Sequence, residues 1–558
     1  MDNSGNTKLG FYKSGTPWVW LNAGAVSISI IMVVGLLVLI AVRGLGHFWP
    51  KTIYEIDYID RGNQIVLIGE KAKTETIPAK QLREAGIQFS SDEEFIKRTL
   101  LKTGNKDVNG FDFKLMVEPN EVSTRIPVNA IVFERTEWGN FYGYLKAIKE
   151  NGNPLSQTDT DLLWQDLQRR IDRVDDLRHR INKIEKGEIG SINYKLEKLR
   201  LYERKVELRK ENTPEELAKI NQRRTALNQE YSKLKAQLDQ LYLEIKRDSA
   251  VMEVMTGQQA EISLANIIKA TRPNDMNVVA KLGQYFVNLK DFITEDPREA
   301  NTEGGIFPAI FGTVMMVLLM SVIVTPFGVV AAIYLREYAK QGFITRLVRI
   351  SVNNLAGVPS IVYGVFGLGF FVYYLGGNID QLFFPEALPA PTFGSGGIMW
   401  ASLTLALLTV PVVIVATEEG LARIPRAIRE GSLALGATKA ETLWRTVIPM
   451  ASPAMMTGLI LAVARAAGEV APLMLVGAVK LAPSLPVDLN APFIHLERKF
   501  MHLGFHIYDV GFQSPNVEAA RPLVYATALI LVLVIIVLNL TAIYIRNHLR
   551  EKYRTMEH

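Results

Sequence analysis

Residues 23–42 form a run of twenty without a single charge, and this run constrains the chain more than any other feature. At helical rise, twenty residues span about 30 Å, the thickness of a bilayer's hydrocarbon core. The run ends directly on Arg43 with no small-residue cleavage pattern, so it reads as an uncleaved anchor rather than a secretory signal. Five more apolar segments lie in the second half of the chain, at roughly 306–335, 350–376, 398–417, 452–478 and 522–545. The expectation is a polytopic α-helical membrane protein with six transmembrane helices.

The overall composition, 48% apolar and 21% charged over 558 residues, averages two environments. Uncharged runs sit beside a stretch at 159–248 dense in Asp, Glu, Lys and Arg, a segregation foreign to a soluble domain. The chain has no Cys, which excludes disulfide scaffolds, thiolate metal sites and cysteine nucleophiles.

Lys and Arg in the short loops set the expected orientation. One loop carries Arg336, Lys340, Arg346 and Arg349, a second Arg423, Arg426, Arg429, Lys439 and Arg445, and the tail Arg546, Arg550, Lys552 and Arg554. These three are expected to be cytoplasmic, together with both termini. Loop 377–396 has no Lys or Arg, and loop 479–521 balances its bases with acids, so residues 43–305 become one large external domain.

That domain changes period along its length. From about 52 to 141, short β-rich runs alternate with Gly, Asn and Asp, which predicts a compact β-containing unit. From 159 to 248, apolar residues recur at 3,4 spacing: Leu167, Ile171, Val174, Ile181 and Ile184, then Ile220, Leu227, Tyr231, Leu234, Leu238, Leu241 and Ile245. Thr213, Pro214 and Glu216 mark a helix start, so the two stretches are expected to form an antiparallel coiled-coil hairpin, with Gly187 and Gly190 breaking or bending the first arm. Acids and bases are interspersed there, the mark of a solvated face rather than a nucleic-acid surface.

Ionisable residues inside a transmembrane segment are expensive and face a partner or a polar pathway. Arg465 and Glu469 lie mid-segment, four apart, so one helix face presents both and they can pair. Such a pair fixes helix packing or lines a translocation path, where the planar donors of an Arg suit an oxyanion.

Residues 430–449, EGSLALGATKAETLWRTVIP, lie between two spans. This stretch resembles the coupling loop of ABC importer permeases, with Glu430, Gly436, Ala437, Ile448 and Pro449 in its frame; Gly431 and Ser432 stand where the family has two Ala. A closer resemblance covers 304–545: GGIFPAIFGT at 304–313, PFGV at 326–329, AIYLREY at 332–338, GVPSIVYG at 357–364 and ARAAGEVAPL at 464–473 are similar to the PstA-type permeases of phosphate ABC transporters. The large insertion after the first span has no counterpart in that pattern.

The resemblance implies a type I ABC importer permease fold (a MetI-like transmembrane domain) in a bacterial inner membrane, with residues 43–305 periplasmic. The organisation that follows is a cytoplasmic tail at 1–20, an anchor helix at 21–42, a β-rich domain at 43–158 and a coiled-coil hairpin at 159–248. A return segment at 249–305, the permease domain at 306–545 with its coupling loop at 418–450, and a cytoplasmic tail at 546–558 complete it.

The implied function is half of the pore of an ATP-driven inorganic phosphate importer. Its implied partners are a PstC-type second permease, PstB-type ATP-binding subunits, a periplasmic phosphate-binding protein and membrane lipid, with no nucleic acid and no cofactor. The chain is expected to be a transport subunit, not an enzyme: it has no G-x-x-x-x-G-K-[ST], and residues 431–438 carry Ala where the phosphate-binding Lys belongs. Arg465 is expected to balance an anion's charge, and Glu469 to accept the proton that phosphate carries and sulfate lacks. Pro326 and Pro411 are candidate bends.

His495, His502 and His506 lie in the last outer loop without the H-E-x-x-H of a zinc helix. They read as part of an amphipathic loop helix with Phe493, Ile494, Leu496, Phe500, Met501 and Leu503, not as a metal site. Two other classes are weighed, a membrane-anchored coiled-coil scaffold or signalling protein and an ABC permease for another oxyanion. A polytopic membrane enzyme is a further case, but it would need more converging ionisable groups.

Overall fold

The computed structural model describes residues 15–89, 91–155, 159–514 and 517–554. Most of the expected tail at 1–20, and the last four residues of the one at 546–558, lie outside the described residues. Among the described residues, six helical stretches are long and apolar enough to cross a bilayer: Pro17–Phe48, Phe307–Tyr338, Ser360–Phe383, Ile398–Arg423, Lys439–Gly468 and Ala520–His548.

The first is built on α1 (Thr16–Leu45), with Pro17 in its first turn, where a missing N–H costs nothing. Its apolar window is unburied, and it leans on the last span through Gly44, which sits on the Tyr525 backbone.

Between the first two spans lies a mixed domain. β1 (Ile53–Asp60) and β2 (Asn63–Pro78) are joined by Arg61 and Gly62, both at positive φ, the two-residue turn that matches strand twist. With β3 (Phe95–Lys102), β4 (Phe113–Val117) and β5 (Glu121–Arg125) they form a sheet in the order β4-β3-β2-β1-β5.

The second sheet takes β6 (Ile131–Arg135), β7 (Phe141–Glu150) and β8 (Asn153–Pro154) from before the helical stretch. It takes β9 (Asp248–Glu253), β10 (Gln259–Ser263) and β11 (Ile267–Thr271) from after it. Its order is β10-β9-β7-β6-β11, with β8 on β7. The expected division at 158 and 248 therefore cuts through one sheet, and 249–271 is sheet rather than a return segment. Local period reports a strand but not its partner, and β7–β9 pairing spans about a hundred residues.

The helical hairpin consists of α2 (Thr160–Asn182), α3 (Gly190–Leu208) and α4 (Pro214–Ile245). Asp159 caps α2 and Thr213 caps α4, each accepting from backbone N–H groups. A π-helical turn over Lys183–Ile189 carries α2 into α3, so Gly187 and Gly190 do not end the first arm.

Leu167, Ile171, Val174 and Ile181 pack with Leu238, Leu241 and Ile245 against Phe133, Phe141 and Met252 of the second sheet. The base of the hairpin is thus part of the domain core. The arm α3 lies across two loops of the membrane domain: the Tyr194 hydroxyl donates to Ala491 O at 2.8 Å, Lys198 Nζ to the same oxygen at 2.7 Å, and Lys205 pairs with Glu386 at 3.2 Å.

From the sheet the chain returns through α5 (Val278–Thr294) to the second span, α6 (Phe307–Ile333) with a final π turn over Tyr334–Tyr338. Next comes α7 (Phe343–Leu355), which ends before Pro359; α8 (Ser360–Phe366) then starts the third span. The segment expected at 350–376 is therefore two elements. Residues ahead of a Pro are driven out of the helical region, which cuts the apolar run there.

The fourth span, α9 (Ile398–Arg423), is the most deeply packed of the six and lies against α6 and the fifth span. Pro326 and Pro411 sit inside α6 and α9, which run through them unbroken. The last helix, Val517–Arg554, continues beyond 545 into the expected tail. The domain is tied to the membrane ends by Asn301, whose Nδ2 donates to Lys480 O at 2.9 Å and to Asp509 at 3.2 Å.

One charged knot holds the hairpin to the sheet. Asp248 is fully buried and meets Arg170 at 2.9 Å, Arg173 at 3.0 Å and Arg247 at 2.9 Å. Burial alone would raise its pKa, but the Arg247 hydrogen bond and the charges of Arg170, Arg247 and Arg173 outweigh it and hold the carboxyl below its ordinary value. The stabilisation is complete above the unfolded-chain pKa of about 4 and is lost only as pH falls through the lower folded value. Asp248→Ala removes the buried acceptor that the three guanidinium groups share, leaving Glu150 and Asp166 to hold Arg170 and Arg247, and is expected to cost about 1–3 kcal/mol of domain stability. Hydrogen exchange of the full chain should show faster uptake in β9 and α2, with α9 unchanged.

Candidate functional site

Arg465 lies in the last turn of α11 (counting Arg426–Ala434 as α10, α11 is Ile448–Gly468), and the helix stops immediately after it. Glu469 is the C-cap, with extended backbone at φ −76°, ψ 135°, and α12 (Ala471–Val476) begins after Val470. The expected continuous span at 452–478 is therefore broken at Glu469. The two side chains still approach, Arg465 Nε to Glu469 Oε1 at 3.6 Å, at 35% and 20% exposure. That is an ion-pair distance without hydrogen-bond contact, and it leaves both groups with unfilled capacity.

Close backbone packing places the break. A Cβ added at Gly364 of α8 would come within 2.7 Å of Pro472 Cα, so only a glycine lets α8 lie on α12. Tyr363 packs in one cluster with Ala462, Ala466, Ala467 and Leu473, and its hydroxyl donates to Leu355 O at 2.6 Å. Two segments a hundred residues apart, 357–364 and 464–473, thus meet around the Arg465–Glu469 pair. A cavity of about 800 Å³ lies elsewhere, between the sheets, the end of α1 and α5, and neither Arg465 nor Glu469 lines it.

The stretch 430–449 folds as α10, a turn, and a helical run from Lys439 that leads into α11. Gly436 takes φ +89°, the left-handed region that a side chain would strain. Thr438 then caps the next turn in a capping box with Glu441. Ala437 lies in the exposed turn, while Ile448 and Pro449 lie where this element joins α11, beside Leu443, Val447 and Ala451. Leu435 is 91% exposed and Trp444 76%, an apolar face without cover.

Glu430 is exposed, and the group that anchors the element is its neighbour Arg429. Arg429 pairs with Glu337 at 3.1 Å and donates to Leu421 O at 2.7 Å. Lys439 donates to Glu337 O and stands over the Tyr338 ring, and Arg349 donates to Leu335 O at 3.0 Å while pairing with Glu418 at 3.2 Å. Three cations from three elements thus satisfy the carboxyl end of α6, where backbone carbonyls and the helix dipole favour them. AIYLREY held the signal for Glu337, but no local pattern named its partners.

The histidines are packing residues. His502 Nδ1 accepts from Gly504 N at 3.1 Å, His506 lies 3.4 Å from the Thr527 hydroxyl, and His495 sits between Asp488 and Glu497. Burial pushes His502 down to about 3 and His506 to about 4, so both are neutral near pH 7. Helix starts only at Leu503 and runs through Tyr508 into a π turn over Asp509–Gln513, so the loop helix expected upstream is absent; Phe500 instead bridges to Ala478. Among the described residues no group of three His, Asp or Glu is placed to hold a metal.

Residues 324–555 match the family described as "Binding-protein-dependent transport system inner membrane component". The phosphate transport system permease protein PstA 1 of Mycobacterium tuberculosis is 34% identical over 274 residues, 48% of this chain and 80% of that protein. PstA of Yersinia pestis is 31% identical over 46% of this chain and 77% of its own length. YqgI of Bacillus subtilis, a probable ABC transporter permease, is 30% identical over 45% and 81%.

Among solved structures, an inward-facing methionine ABC transporter covers 43% of this chain and 94% of its own at 18% identity, with a TM-score of 0.31, too distant a likeness to bear on the argument. The fold and these relatives define an ABC importer permease subunit, a multi-pass membrane transport protein. Within that class the chain belongs to the PstA-type phosphate permeases.

Arg429→Ala would strand Glu337 and release the end of α6, an expected cost of about 1–3 kcal/mol. Deuterium uptake should rise at 334–338 and 430–442 while α9 stays protected; unchanged uptake at both segments would show that the ion pair does not anchor this element.

Proposed function

We propose that the chain forms half of the pore of an ATP-driven inorganic phosphate importer. The observation that carries this is the broken fifth span, which sets Arg465 and Glu469 side by side, loosely paired, at a meeting of spans. At 3.6 Å the pair keeps donor and acceptor capacity that a ligand can use. The relatives support phosphate as the substrate, since those proteins are phosphate transport permeases.

In this reading Arg465 offers its planar donors to an oxyanion, and Glu469 accepts the proton of monohydrogen or dihydrogen phosphate. Sulfate, with no proton to give at neutral pH, faces a carboxylate it cannot bond. The grip must stay weak enough to release, which suits groups that are partly solvated.

The Gly436 turn with its bare Leu435 and Trp444 is the docking face for a separate ATP-binding subunit. Glu430, Gly436, Ala437, Ile448 and Pro449 frame it, and Arg429 and Lys439 carry its movement to α6 while the helix carries it into α11. A second, PstC-type permease completes the pore. Both termini are cytoplasmic, and residues 43–305 face the periplasm. The hairpin then lies on the same side as loops 385–387 and 491–495, so a phosphate-binding protein delivering its cargo meets α3 as well as those loops.

Uptake by cells lacking their own carrier, supplied with the full set of subunits, tests the path. Arg465→Ala with intact assembly is expected to lose about 1.5–3 kcal/mol of anion contact, roughly tenfold or more in uptake. Glu469→Gln is expected to relax the rejection of sulfate. Wild-type uptake in both variants would return the pair to packing, and transport of a different oxyanion by the natural chain would replace the substrate. Failure of an ATPase to copurify would favour a membrane-anchored scaffold.

Orientation has its own test, because the chain has no Cys. A thiol introduced as Gly187→Cys should label from outside intact cells and one introduced as Lys439→Cys should not; the reverse pattern overturns the topology.

A further inference from the structure

The helix α5 is apolar on two sides. Tyr285, Leu289 and Phe292 pack into the core beneath it, and Gln284, Asn288 and Asp291 also turn toward the protein: Gln284 donates to Asn288 at 2.7 Å, Asn288 donates to Phe48 O at 3.0 Å, and Lys269 reaches Asn288 at 3.2 Å and Asp291 at 2.8 Å. The outward face holds Val279, Leu282, Phe286 and Ile293, with Val278 and Val287 at its edges and the exposed Lys290 among them; Val279 is 77% and Phe286 63% exposed. A soluble domain would keep its outward face polar.

The helix is pinned to the membrane boundary at both of its neighbours. Phe292 and Tyr285 pack on Phe48 at the end of α1, with ring centroids 5.1 and 6.2 Å away, and Tyr285 also meets Trp49. Phe292 O and Glu295 O accept from Ile306 and Phe307 at the start of the second span.

The level of that boundary can be read from the first span. Its stretch Pro17–Phe48 has 32 residues, about 48 Å of helix, against a bilayer of about 40–45 Å with its headgroups. Exposed Trp18 and Trp20 mark one interface and Trp49 the other, as aromatic side chains do at headgroup level. The apolar face of α5 therefore continues the lipid-facing surface of α1 at the headgroup boundary.

We propose that α5 is a lipid-binding interfacial helix, whose outward face beds at the headgroup and acyl boundary and seats the inserted domain on the membrane. Lipid is the occupant argued for by position: the face adjoins the end of an unburied span and lies level with its aromatic belt.

The test uses the assembled transporter in nanodiscs, with partner subunits free of accessible thiols. Val279→Cys, Phe286→Cys and, as a control on the hairpin, Leu243→Cys (76% exposed) each give this chain one thiol, to be labelled with a polarity-sensitive fluorophore. A lipid carrying a nitroxide near its headgroup is expected to remove most of the emission at 279 and 286 and to leave 243 unchanged, whereas aqueous iodide does the opposite. Iodide quenching at 279 and 286 equal to that at 243 would overturn the proposal. Shielding of both positions from lipid and iodide alike would overturn it too, because a protein chain would then cover the face.

Discussion

Hydrocarbon offers no partner to a backbone N–H or C=O, and every span of this chain answers to that fact. Helix satisfies the requirement along most of each span. At Glu469 the helix stops, and the loose ends are gathered locally: Glu469 N bonds to Ala466 O at 3.2 Å, and Leu473 N bonds back to Val470 O at 3.0 Å as α12 starts. A break of this kind is tolerated where protein surrounds it, and Tyr363, Gly364 and the small residues Ala462, Ala466 and Ala467 supply the enclosure. The break that ends the fifth span is thus also the place where two ionisable side chains are set.

The same logic governs the opposite end of the membrane domain. Two carbonyls that end α6 accept from Arg349 of α7 and from Lys439, and the Glu337 carboxylate beside them pairs with Arg429 of α10. The element that carries the exposed Leu435 and Trp444 is therefore not a free loop. It is fastened to the second span by charge and continuous with the fifth by helix, so a push on it is divided between two spans. Gly436 allows the turn, and Thr438 with Glu441 fixes where the helix resumes.

Much of this was legible because period and capping are local. The heptad stripes named Leu167, Ile171 and Val174, and the hairpin base buries them; Thr213 and Pro214 marked a helix start that α4 uses. The spacing of Arg465 and Glu469 predicted contact, and they do approach, although the helix assumed between them ends first. What could not be read is pairing at a distance. Nothing near Val251 announces that its strand belongs beside β7, and nothing near Glu337 announces Arg429. The error at 350–376 has another cause: apolar content ran on across Pro359, where backbone sterics cut the helix, and α7 has the arginines to lie apart from the third span.

The inserted domain acquires its mechanical meaning from where it is fixed. Its floor shares a core with the membrane ends, since Phe48 and Phe292 pack with Ile306, Met501, Leu503 and Leu523. Its hairpin, locked to the second sheet by Asp248, reaches back to Ala491 and Glu386. Those two contacts lie in loops that join different pairs of spans, the third to the fourth and the fifth to the sixth. A rigid arm that touches both resists their separation, and any rearrangement that moves α12 relative to α8 must break or carry these contacts. The hydrogen bonds to Ala491 O and the pair with Glu386 are few and partly exposed, so each is worth about 0.5–1.5 kcal/mol rather than the cost of a buried core. An arm fastened firmly at its base and weakly along its length can therefore follow the loops without preventing their movement.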